Sequence, residues 1–105
     1  MYLDFHGHSR KKNVFMFGPD YNITQPEYYK CRVFPKLLSN ITNIFRYYSC
    51  SYDISNDKRS TARAVMLNDL LVPIFFTVES SLGYYYDYIL KKIMPFTKKK
   101  WEEVG

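Results

Sequence analysis

Two short apolar runs near the start of the chain, residues 1–5 and 14–17, fix how the rest can fold. Each is rich in aromatic and branched residues and ends at turn-formers, which reads as a buried strand. Between them lie His6-Gly7-His8-Ser9-Arg10-Lys11-Lys12-Asn13, with both histidines of the chain. Strand side chains alternate between faces, so His6 and His8 point the same way as long as the extended backbone persists past Phe5. Imidazole is the commonest metal ligand, and a strand end is a rigid place to hold one. Two histidines alone leave surface or hydrogen-bonded roles open, because a metal site needs three or four convergent ligands.

The 105 residues make at most one domain with a modest core. After a loop at 19–22, Thr24 as cap, Pro26 in the first turn and Glu27 reaching back mark a helix start. Pro35 removes a backbone donor from that helix and predicts a break or kink near Val33-Phe34. Leu37, Leu38, Ile41, Ile44 and Phe45 then recur at spacings of three and four, a stripe expected in the core. Residues 46–52 alternate loosely and read as a strand. After a polar loop at 55–60, Ser60-Thr61 offers a cap for a helix over 62–71 that buries Ala62, Val65, Met66 and Leu70. Residues 72–78 form the strongest strand signal. Beyond Gly83, a tyrosine run at 84–88 leads into a helix over 89–94, and Pro95 separates it from a last helix beginning at Thr97. Strands alternating with helical segments place the chain in the α/β class, with at least some parallel strands.

Glu79 closes the 72–78 run, where a carboxylate is costly to bury unless it is paired or functional. Ligands also collect at strand ends in α/β sheets, so Glu79 is a candidate acid/base residue. Arg63 falls in the first turn of its helix, where the dipole slightly repels a cation. An external anion would explain that placement, and so would a solvated surface arginine. The net charge is +5, with basic clusters at 10–12, 58–59, 91–92 and 98–100. Such a surplus suits a solvated face or an acidic partner, whether a nucleic-acid backbone or a glutamate-rich peptide. The eleven Tyr and eight Phe sit mostly in apolar runs rather than among the basic residues, which argues against a nucleic-acid module. No apolar run is long enough to span a bilayer and no basic-then-apolar signal opens the chain, so a cytoplasmic location is expected. Cys31 and Cys50 have no metal-type spacing and read as buried thiols.

DFHGHSRKKNVFMFG, CRVFPKLLSN, the aromatic run ending in Ser49-Cys50, STARAVM and FFTVESS occur in that order along the chain. Together they resemble successive blocks of the cytosolic carboxypeptidase catalytic domain. That family consists of zinc enzymes that trim glutamates from tubulin tails. The tail from Phe96 to Gly105 is similar to the start of its last helix. The resemblance implies a zinc-carboxypeptidase fold, a mixed central sheet flanked by helices. It also implies His6 as a ligand of one Zn2+ ion, Glu79 as the catalytic glutamate, and Arg63 as the determinant for an acidic substrate side chain. His8 matches the second histidine of the motif, to which it gives an orienting or pocket role.

The family's other two zinc ligands lie on an H-x-x-E motif, and this sequence contains none. The chain is therefore expected to be the C-terminal portion of a larger catalytic domain, inactive by itself. The expected partner is an acidic glutamate-rich peptide such as a tubulin C-terminal tail, with neither nucleic acid nor membrane. A non-catalytic truncated paralogue that binds acidic partners is the alternative.

Overall fold

The computed structural model describes residues 1–53, 65–66 and 73–105. The chain runs β1 (Tyr2–His8), β2 (Val14–Phe17), α1 (Pro26–Ile41), a 3-10 turn (Tyr47–Ser49), β3 (Phe75–Ser81), β4 (Tyr84–Asp87), β5 (Lys92–Pro95) and α2 (Lys98–Glu102). Three strands make a mixed sheet in the order β1-β3-β2, with β1 parallel and β2 antiparallel to β3. β4 and β5 form a separate antiparallel hairpin. The α/β class and the parallel pairing follow the sequence reading; the predicted 62–71 helix lies almost wholly outside the described residues, with Val65 and Met66 helical.

Alternation sorts the sheet into two faces. One carries Val14, Met16, Phe76 and Val78, all buried, and Leu3 beside them. Helix α1 covers it with Cys31 and Leu38, while Phe34 sets its ring 5.7 Å from that of Phe76. The other face carries the buried Phe15 and Phe75 together with Asp4, His6, His8, Thr77 and Glu79. Asn13 joins the sheet to the hairpin. It is buried with φ 71°, a conformation asparagine tolerates better than most residues. Its side chain donates from Nδ2 to the Tyr86 carbonyl and accepts at Oδ1 from the Tyr86 amide, each at 2.8 Å.

Several local expectations are corrected. Helix α1 is continuous through Pro35. The helix interior loses one amide bond there, yet Cys31, Pro35 and Leu38 are buried together, and that packing outweighs the loss. Its cap is Gln25 rather than Thr24, whose hydroxyl instead donates to Asn22. The 37–45 stripe is only partly core: Leu38, Ile44 and Phe45 are buried, whereas Leu37 and Ile41 are exposed on the outer side of α1. Residues 46–52 do not form a strand. Phe45 and Ser51 each bridge the outer edge of β2, and the backbone between them folds into the 3-10 turn. The 89–94 helix is replaced by the β4–β5 hairpin, turning through Lys91 at φ 54°. β1 extends past Phe5 to His8 and is largely exposed, not buried. α2 starts where expected, with the Thr97 hydroxyl accepting from the Lys100 amide.

Candidate functional site

His6 and Glu79 are register partners across the parallel β1–β3 pair. Partners in a parallel ladder place their side chains on the same face, so imidazole and carboxylate are neighbours. Glu79 lies inside β3, which continues to Ser81, rather than at its end. It is half-buried, and among the described residues no cation pairs with it. Both strands run toward the same end of the sheet. The pair therefore sits near the carboxyl edge of a parallel unit, the common place for a ligand in such sheets.

Asp4 was not singled out by the sequence reading. Its Oδ2 lies 2.8 Å from His6 Nε2, both side chains remaining partly exposed. The signal was present, because the two residues are two apart on one strand and must share a face. A carboxylate at that distance fixes the ring and leaves Nδ1 as the open nitrogen.

His8 has a different task from His6. Its Nδ1 accepts the Arg10 amide at 3.0 Å and the Lys11 amide at 3.1 Å, so the ring braces the turn that follows β1. The ring also meets Phe15 edge-on, with centroids 5.1 Å apart, and Lys11 Nζ stands 4.9 Å from the same phenyl ring. Arg63 lies outside the described residues. Neither thiol suits nucleophilic chemistry. Burial pushes Cys31 up, and burial pushes Cys50 to about 11 although the Met16 amide donates to its sulfur.

Zinc is the group the resemblance implies. Among the described residues no three His, Cys, Asp or Glu side chains gather to hold a metal ion. A catalytic zinc takes three protein ligands, so these residues do not make a zinc centre by themselves. Beyond the hairpin end of the sheet, a cleft of about 410 Å³ is bordered by His8 and the basic turn on one side and by Tyr84 and Ile93 on the other. On the helix-covered side, an apolar groove of about 300 Å³ is lined by Phe5, Val78, Leu82, Trp101 and Val104. No helix among the described residues is long and apolar enough to cross a membrane.

No family model matches the chain. Individual proteins do. It is 39% identical over 94 residues to cytosolic carboxypeptidase 1 of Homo sapiens, a match covering 78% of this chain and 8% of that protein. It is 43% identical over 70 residues to cytosolic carboxypeptidase 3 of Mus musculus, covering 63% of this chain and 7% of the relative. With cytosolic carboxypeptidase 2 of Danio rerio the identity is 39% over 84 residues, covering 79% and 12% respectively. The chain thus spans only a small part of the length of each relative. Three differently numbered relatives, each matched over well more than half of this sequence, agree on one assignment: the chain belongs to the cytosolic carboxypeptidase family.

Proposed function

We propose that the chain is the C-terminal portion of a zinc-carboxypeptidase catalytic domain, and that the domain removes C-terminal or branch glutamates from acidic peptides such as tubulin tails in the cytoplasm. The observation that supports this most is the pairing of His6 with Glu79 on one face of a parallel strand pair. In this reading Glu79 accepts a proton from the attacking water and returns it to the departing amine, so it ends the cycle as it began. Arg63 offers a planar fork to the glutamate carboxylate of the substrate. His6 contributes one metal ligand, steadied by Asp4, and the remaining ligands belong to an H-x-x-E motif outside this sequence. The described residues do not complete a zinc set, so in this reading the chain's own part is the proton transfer at Glu79 and the substrate grip at Arg63.

The test is a chimera in which residues 1–105 replace the matching segment of a cytosolic carboxypeptidase, assayed for glutamate release from a glutamylated peptide. Release is expected, with Glu79→Gln lowering kcat about 10²–10⁴-fold. A chimera whose turnover is indifferent to Glu79→Gln would sink the proposal. A second reading, a non-catalytic paralogue that binds acidic partners, draws on the net charge of +5 rather than on catalytic geometry. An inactive chimera, together with binding of glutamylated peptide by the 105-residue chain, would select that reading.

A further inference from the structure

We propose that residues 9–12, braced by His8, form with the neighbouring cleft a subsite for the acidic side chains that precede the cleaved bond. This deepens the proposed function and rests on it. The turn leaves β1 two residues after His6, so it begins about 7 Å beyond the His6–Glu79 pair. A peptide with its last residue at that pair has its preceding residues within reach of the turn.

The loop carries three consecutive cations, Arg10, Lys11 and Lys12, and all three border the 410 Å³ cleft. No carboxylate among the described residues pairs with any of them. The backbone beneath is fixed. One imidazole nitrogen holds two successive loop amides, and the ring is seated against the buried Phe15. Side chains mounted on a fixed turn lose less freedom on binding than those of a loose tail, which favours a defined site. The opposite wall supplies the exposed ring of Tyr84 and the side chain of Ile93, against which the methylene groups of a glutamate can lie. Among the described residues Tyr84 alone brings a tyrosine, phenylalanine or tryptophan ring to this wall, which fits a carboxylate-bearing peptide better than stacked bases.

The experiment measures fluorescence anisotropy of a labelled ten-glutamate peptide with the full 105-residue chain at low ionic strength. A ten-glutamine peptide and a ten-nucleotide oligo-dT serve as comparison probes. Replacing Arg10, Lys11 and Lys12 by Ala together is expected to weaken glutamate binding at least 10-fold. Replacing Lys30, Lys98 and Lys99 by Ala removes the same charge elsewhere and is expected to weaken it less than 3-fold. His8→Ala leaves every cation in place yet is expected to lose about 5-fold. His8→Asn, whose amide oxygen can accept the same two backbone bonds, restores binding to within 2-fold. If the triple loop variant does not fold, single glutamine replacements at the three positions give the same comparison. Equal losses from the two triple variants, no loss from His8→Ala, or tighter binding of oligo-dT than of the peptide would overturn the subsite. Failure here with an active, Glu79-dependent chimera removes the subsite alone. Retained binding with an inactive chimera removes the catalytic reading alone.

Discussion

Asp4 and the amides of Arg10 and Lys11 engage different ring nitrogens of the two histidines yet select the same tautomer. His6 turns Nε2 toward a carboxylate, which only accepts, so Nε2 carries the proton. His8 receives two amides at Nδ1, so its proton also sits on Nε2, but that nitrogen faces away from the brace. Long-range ¹H–¹⁵N spectra near pH 8 should therefore show the Nε2–H tautomer at both positions. Asp4→Asn should shift His6 toward a tautomer mixture and leave His8 unchanged; an unchanged His6 would mean the 2.8 Å contact does not hold the ring. Two glycines provide a second residue-scale contrast. A Cβ at Gly18 would stand 2.6 Å from the Tyr52 ring, which is stacked at 4.0 Å on the Arg32 guanidinium, and 3.2 Å from Phe76. At Gly7 the crowding atom is the tip of Leu82, an exposed and adjustable side chain. Gly18→Ala should cost about 1–3 kcal/mol, and Gly7→Ala should stay within about 0.5 kcal/mol by urea unfolding. Equal costs would show that Tyr52 moves aside as readily as Leu82.

The β4–β5 hairpin turns on Asp87, whose carboxylate accepts the Ile89 amide at 2.9 Å, the Leu90 amide at 3.0 Å and the Asn43 side chain at 3.3 Å. The Leu90 amide above all holds this carboxyl below its usual range; burial opposes that, while the Ile89 amide, Asn43 and Lys100 add to it. A carboxyl depressed by folding gives stability that is whole above the unfolded value, about 3.9, and fades as pH falls below it. Asp87→Asn keeps an acceptor oxygen but cannot be protonated. Thermal unfolding at pH 3 and pH 7 should show a smaller difference for the variant than for the parent chain, and an equal difference would remove Asp87 from the acid response. The same hairpin shows where sequence reading ran out. Its alternation was present, with Tyr85 and Asp87 buried and Tyr84 exposed, but the turn lacks the Asn-Gly or Asp-Gly pair that announces a hairpin. Lys91 takes the positive φ instead, which no local preference signals. Strands bearing His6 and Glu79 were legible because branched and aromatic residues concentrate there. Their pairing was not, because register depends on contacts distant in sequence. Pro35 misled for a related reason: the local cost of proline is visible in a sequence, and the burial that offsets it is not.

At the scale of the whole molecule, apolar surface is arranged on both sides of α1. Cys31 and Leu38 face the sheet, while Tyr29, Val33, Leu37 and Ile41 recur every four residues along the opposite side, all exposed. Phe5 is likewise 65% exposed on β1, which has β3 as its only strand neighbour among the described residues. Contiguous apolar surface of this kind is uncommon on small soluble proteins and binds hydrophobic dyes. Leu37 and Leu38, adjacent in sequence, therefore separate the two faces of α1. Leu38→Ala should cost about 2–5 kcal/mol, because it empties a packed site over the sheet. Leu37→Glu combined with Ile41→Lys should change the unfolding free energy by less than about 1 kcal/mol and lower the fluorescence of bound anilinonaphthalene sulfonate by about half. Both substitutions place polar groups where water already reaches. If Leu37→Glu proved as costly as Leu38→Ala, the outer stripe would be covered in solution, and α1 would be packed on two sides rather than one.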